Sequence, residues 1–188
     1  MIRFAVAITS VELVLTLGAA LWITFEERDE PFVAAAEFEM LGIPVEKHSM
    51  DRRTRSGGLV SFDTQAVVKG PGPALMVSLR VKATREEFDA RRAAERPPEA
   101  GEGKEQTIVN DESWPQEPGY VVRERGRNGV RSELVRLHGS EMLVVRAIRM
   151  DVPAGKSGEE VSTCERLARI VQEFVMSRKL GWRDEPGR

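Results

Sequence analysis

The side chains best suited to nucleophilic or metal chemistry are few: His48, His138 and the single cysteine, Cys164. His138 ends an expected strand beside the turn at Gly139 and Ser140, and His48 sits far from it in a polar connector, so no local spacing joins them to carboxylates. No HExxH, GxSxG, CxxC or glycine-rich nucleotide fingerprint is present. One cysteine excludes an intramolecular disulfide and a thiolate metal cluster. The paired carboxylates Glu86 with Glu87 and Glu159 with Glu160 stand where helices should start, and the helix dipole accounts for them. The residue inventory therefore predicts no enzyme, no metal and no cofactor.

Arginine supplies the stronger pattern. Between Gly119 and Met150 lie Arg123, Arg125, Arg127, Arg131, Arg136, Arg146 and Arg149 against three glutamates, in a chain whose net charge is -2. Arg123 and Arg125 share a face by the two-residue period of a strand. Arginine suits interfaces through its planar, multidentate donor set. Arg123, Arg125, Arg131 and Arg136 are thus candidates for docking an acidic protein surface, with an ordinary solvated sheet face as the other reading. Aromatic side chains do not interleave with them, so nucleic acid is not an expected partner. Trp114, just before Pro115, either folds back on the core as a pin or offers itself to a partner.

The elements that must carry these residues begin with Phe4 to Phe25, 22 residues with one charge, Glu12. As a helix this segment would be roughly 33 Å long, which matches a hydrocarbon core of about 30 Å. Trp22 falls near the far end, where an aromatic prefers the interface. A cleaved signal peptide would want a shorter apolar core and nearby small residues, and here acids follow at once. The reading is a transmembrane anchor over residues 1–25 surrounded by lipid, with a signal peptide or buried helix as alternatives. Arg3 and the amino terminus orient it with the N-terminus cytoplasmic and the C-terminal domain periplasmic, across the cell inner membrane. Glu12 costs several kcal/mol at mid-membrane, about 2.5 to 3.5 on translocon-type scales. With Thr9 and Thr16 it forms a small, polar face suited to helix–helix packing. Glu12 is either a tolerated protonated acid or a contact to another membrane helix; a proton-pathway role has no second relay group.

Residues 26–58 read as a connector, with Arg52, Arg53 and Arg55 in a solvated loop. Residues 59–182 read as one extramembrane α+β domain. Leu59 to Val68 is an expected strand, and KGPGP at 69–73 a turn. Ala74 to Lys82 alternates, predicting a sheet with one wet face. Thr84 with Glu87 forms a capping box before a short helix ending near Ala94. Residues 95–118 predict a long surface excursion with a short strand at Thr107 to Val109. Three strands follow, Tyr120 to Arg125, Val130 to His138 and Met142 to Met150, with the Asn128–Gly129 pair favouring a hairpin. Ser157 with Glu160 predicts a second capping box, opening a long amphipathic helix stopped by Gly181. Its stripe includes Cys164, read as a buried small hydrophobe. The fold class is α+β: a single transmembrane helix, then an antiparallel sheet packed against a long C-terminal helix.

The stretch GYVVRERGRNGVRSELVRLHGSEMLVVRAIRM followed by ERLARIVQEFVMS resembles the last strands and closing helix of the PsbP-like fold group, over about residues 119–177. That resemblance implies an antiparallel sheet flanked by helices and an assembly role without catalysis, and it carries over no binding residue. The expected function is a non-catalytic accessory or scaffold subunit of a larger membrane complex, photosynthetic or respiratory. Its partners would be other membrane subunits, met through the transmembrane helix and the basic sheet face. The alternative is a membrane-anchored ligand-binding or sensory domain.

Overall fold

The computed structural model describes residues 32–54, 60–70, 72–95, 104–127, 129–153 and 155–179. In chain order these form helix α1 (Ala35–Met40), strands β1 (Val45–Thr54), β2 (Val60–Val68) and β3 (Ala74–Val81), and helix α2 (Arg85–Ala94). Strands β4 (Glu105–Asn110), β5 (Gly119–Gly126), β6 (Gly129–His138) and β7 (Glu141–Met150) follow, then helix α3 (Ser157–Phe174) and a π-helical turn (Val175–Lys179). The strands make one seven-stranded antiparallel sheet in the order β1-β2-β3-β7-β6-β5-β4.

Two meanders thus meet at one seam, where Ala74 faces Ile148 and Val81 faces Glu141. Period two sends Leu75, Val77 and Leu79 of β3 to the same face as Leu143, Val145 and Ala147 of β7. The closing helix lays Val161, Cys164, Ala168, Val171 and Val175 on that face, and α1 adds Phe38. Removing this apolar area from water is the main stabilising term, at about 25 cal/mol per Å². The opposite face is not simply wet. Tyr120, Val122, Val135, Leu137, Met142 and Val144 form a second, smaller core under Phe88 of α2.

Local chemistry explains the boundaries. Thr84 caps α2 as expected: its hydroxyl accepts from the Glu87 amide at 3.1 Å, and the Glu87 carboxylate accepts from the Thr84 amide at 3.1 Å. The second expected box does not form, since α3 has Lys156 at its N-cap with no side-chain cap bond. The Glu160 carboxylate goes instead to Arg149 of β7. A charged guanidinium outcompetes a lone backbone amide for that carboxylate. The β5–β6 hairpin closes with Gly126 opposite Gly129. A β-carbon at Gly129 would overlap the Arg149 carbonyl, so glycine is required there by close approach. Asn128 and Gly181 lie outside the described residues.

Several expectations need correction. The expected membrane-anchored architecture becomes an α+β fold whose helices flank a seven-stranded antiparallel sheet. Among the described residues no helix is long and apolar enough to cross a membrane. The span expected over residues 4–25, with Glu12, Thr9, Thr16 and Trp22, lies outside the described residues. The stretch read as connector, 26–58, contains α1 and an edge strand, β1. Its polar run HSMDRR masked the strand, because an edge strand needs no apolar alternation on its outer half.

Candidate functional site

The arginines predicted to form one docking face are distributed over both faces of the sheet, and all but Arg125 are at least partly buried against carboxylates of the chain. On the α3 side, Arg123 of β5 grips Glu165 of α3 with two bonds, Nε to Oε2 at 2.5 Å and Nη2 to Oε1 at 3.0 Å. Arg169, one helical turn on, reaches Glu165 at 3.3 Å and Asp111 at 3.1 Å. Asp111 in turn accepts from Arg136 Nη2 at 2.5 Å. Arg136 is fully buried, and its Nη1 donates to the carbonyls of Trp114 at 3.0 Å and Glu117 at 3.1 Å. One continuous ion-pair chain therefore ties β5, β6, α3 and the 111–118 loop together. Trp114 packs against the main core, which is the pin reading.

On the other face, Glu133 of β6 is completely buried between Arg91 of α2, at 2.6 Å, and Arg146 of β7. Arg131 joins this side, bonded to Glu95 at 2.9 Å and paired with Glu124 at 3.2 Å. Arg125 faces Glu105 at 3.4 Å with both side chains largely exposed, a pair worth little. Arg123, Arg125, Arg131 and Arg136, the candidates for a basic docking face, each pair with carboxylates of the same chain.

These pairs set the titration of the groups. Burial alone would raise the Asp111 carboxyl, but Ser113, Arg136 and Arg169 outweigh it and hold it down to about 2. Burial would likewise raise Glu133, and Arg91 and Arg146 outweigh it, leaving it below the ordinary carboxylate range. Glu165 is lowered chiefly by its hydrogen bond from Arg123. Burial pushes the Cys164 thiol up to about 11 and the Tyr120 hydroxyl up to about 12. A thiol raised that far holds little thiolate near neutrality.

A pH dependence follows with a definite sign. A carboxyl lower in the folded than in the unfolded chain favours folding above its unfolded value and loses that contribution as pH falls. For Asp111, from 3.8 down to about 2, the contribution is complete above about pH 5, mostly lost by about pH 2 and gone below about pH 1. It amounts to about 2 kcal/mol. Urea midpoints between pH 6 and pH 2 should fall less steeply in Asp111→Asn than in wild type, and equal slopes would contradict the assignment.

The two histidines stay apart, as β2, β3 and β7 separate their strands. His48 Nε2 donates to the Val33 carbonyl at 2.8 Å, and His138 Nδ1 to Glu117 at 2.8 Å. Among the described residues no group of three or more His, Cys, Asp or Glu could hold a metal ion.

Open surface remains elsewhere. A groove of about 650 Å³ runs between α1 and the end of α3, floored by Met40, Leu41, Ile170 and Phe174. Met40 is 78 % exposed, the barest large apolar side chain among those described. Glu37 and Lys179 pair across one wall at 2.6 Å, and Glu173 and Arg178 line the groove as well. A mixed-charge cleft of about 560 Å³ lies between Arg85 and Arg92 of α2 and Glu112 and Glu117 of the loop. Sequence reasoning missed Met40 because AAEFEM is too short for a helical period to show. It missed Glu133 as a buried group, although apolar residues on both parities of β6, Leu134, Val135 and Leu137, signal two-sided burial.

No protein-family model matches the chain and no curated protein matches it, so the resemblance of residues 119–177 to the PsbP-like group is not upheld.

Proposed function

We propose that this chain is a non-catalytic protein-binding domain that receives an amphipathic segment of another protein in the groove between α1 and α3. One observation carries this reading: the groove keeps four large apolar side chains together at the surface, with Met40 bare, while both acid and base line it. A contiguous apolar strip edged by polar groups is how protein-binding surfaces differ from ordinary surface. The positions of the titratable groups support binding over turnover. Asp111 and Glu133 are neutralised by arginine, Cys164 is sealed in the core, and each histidine already holds an internal partner.

Two expectations from the sequence are corrected. The role as accessory subunit of a membrane complex rested on the anchor and the arginine-rich sheet, its photosynthetic or respiratory home on the fold-group resemblance, and the ligand-binding alternative on the anchor. No family model matches the chain, and among the described residues no helix could cross a membrane. The single-pass inner-membrane placement, the periplasmic domain and the transmembrane partners rested on the same span, which lies outside the described residues, and are not carried further.

Met40→Glu tests the groove with little risk to folding, because the side chain is already in water. Against a partner bound by wild type, it should weaken affinity at least tenfold, about 1.4 kcal/mol, with an unchanged melting temperature. Equal affinity of Met40→Glu and wild type would remove the groove from consideration.

A further inference from the structure

The two edges of the sheet are built differently. Strand β1, at one end, carries Glu46, Lys47, Asp51, Arg52 and Arg53 and has a register break between Val45 and Lys47. Charge and bulges are the usual means of keeping an edge from pairing with another chain. Strand β4, at the other end, reads EQTIVN. It has no proline, no lysine and no register break, and its one charge, Glu105, already faces Arg125 at 3.4 Å.

The phase of the ladder tells which backbone groups of β4 point away from β5 and have no strand partner among the described residues. The Asp111 amide donates to the Gly119 carbonyl at 3.0 Å, on the side of β5. Bonded and non-bonded pairs alternate along an antiparallel ladder. Thr107 and Val109 therefore turn their amides and carbonyls towards β5, and Gln106, Ile108 and Asn110 turn theirs outward. The side chains on the α3 face of β4, Glu105, Thr107 and Val109, are all exposed, with Val109 38 % so. Among the described residues, helix α3 packs chiefly on β5, β6 and β7, and the α3 face of β4 stays exposed.

We propose that β4 pairs antiparallel with β4 of a second copy of this chain, about a two-fold axis perpendicular to the sheet that passes midway between the two copies of Ile108. This surface is separate from the α1–α3 groove. A perpendicular two-fold keeps each face of the sheet continuous across the junction, and it makes the contact isologous. In this register Ile108 bonds its own copy, and Gln106 and Asn110 bond each other reciprocally, which uses every outward-facing group from 106 to 110. Thr107 then lies opposite Val109 on the α3 face, a close pairing of two β-branched residues that covers the exposed valine. Centring the axis on Thr107 would set Glu105 against Val109 and Gln106 against Ile108, polar on apolar, which disfavours it. The bare β4 of each copy leaves space between the two α3 helices.

The test uses the full chain with Cys164 left in place, since that thiol is buried. Thr107→Cys/Val109→Cys places each new thiol opposite its counterpart across a non-bonded pair, where Cα atoms sit about 4.5 Å apart, within disulfide reach. Mild oxidation should give a covalent dimer of the double variant, while Thr107→Cys alone and Val109→Cys alone stay uncrosslinked. Adding Gln106→Pro removes an outward amide and spares the β4–β5 ladder, so cross-linking should fall at least tenfold with the circular-dichroism spectrum retained. Adding Met40→Glu should leave cross-linking unchanged, which keeps this proposal distinguishable from the groove. Failure of the double variant to cross-link, equal cross-linking by either single variant, or indifference to Gln106→Pro would each overturn it.

Discussion

Arg136→Met should cost about 3 kcal/mol of folding stability, near the lower end of what is lost when one partner of a buried ion pair is removed. The guanidinium is fully buried, and it satisfies the Asp111 carboxylate together with the carbonyls of Trp114 and Glu117. Methionine fills much of the volume but donates nothing. Asp111 keeps Arg169 and Ser113, which is why the loss stays at the low end. Against a total of about 5–15 kcal/mol for an ordinary domain, such a loss is large. Lysine should rescue little, because one ammonium cannot reproduce a planar fork across three acceptors. The 111–118 loop should also become the first site of limited proteolysis. Urea denaturation followed by circular dichroism measures the change, and a loss below about 1 kcal/mol would show that Arg136 is not the clasp described.

The second large effect belongs to Glu133. Glu133→Gln should destabilise by about 2 kcal/mol, since Arg91 and Arg146 lose a shared buried counter-ion. The cost is moderated because both arginines are only partly buried, 29 % and 27 % exposed, and can turn towards water. Replacing a buried pair by apolar groups of similar size is often neutral. Glu133→Leu combined with Arg146→Met should therefore recover at least half of the loss. If the double variant instead loses as much as the two single changes summed, Glu133 and Arg146 do not act as a pair.

How far the sequence foretells this molecule depends on where each signal lives. Local signals are reliable: the capping box of Thr84 and Glu87 and the alternation of Leu75, Val77 and Leu79 both appear in the structure. The three strands from Gly119 to Met150 and the closing helix appear too. What depends on partners distant in the chain is not legible. The arginine excess between 119 and 150 reads as a basic surface until Glu165, Asp111 and Glu160 are brought in from elsewhere. Glu160 resembles a cap residue until Arg149 claims it. The wet face predicted from β3 holds for Ser78 and Arg80, which are half-buried, but β5, β6 and β7 meet Phe88 on that side. The groove at Met40 shows in the sequence only as the short apolar patch Phe38–Met40–Leu41, because it is the space between α1 and α3 and belongs to neither.

The single seam between β3 and β7 has a kinetic consequence. Within each meander, neighbouring strands are joined by short or moderate connections, so their hairpins can close early and independently. The seam instead pairs Val81 with Glu141 and Ala74 with Ile148, and among the described residues no other ladder joins the two halves. The entropy of closing so long a loop must be spent before that contact returns anything, and it grows only as the logarithm of loop length. High contact order of this kind slows folding. The last event on the way to the native state should be the docking of two preformed half-sheets, with Leu79, Leu143, Val77 and Val145 as the zipper between them.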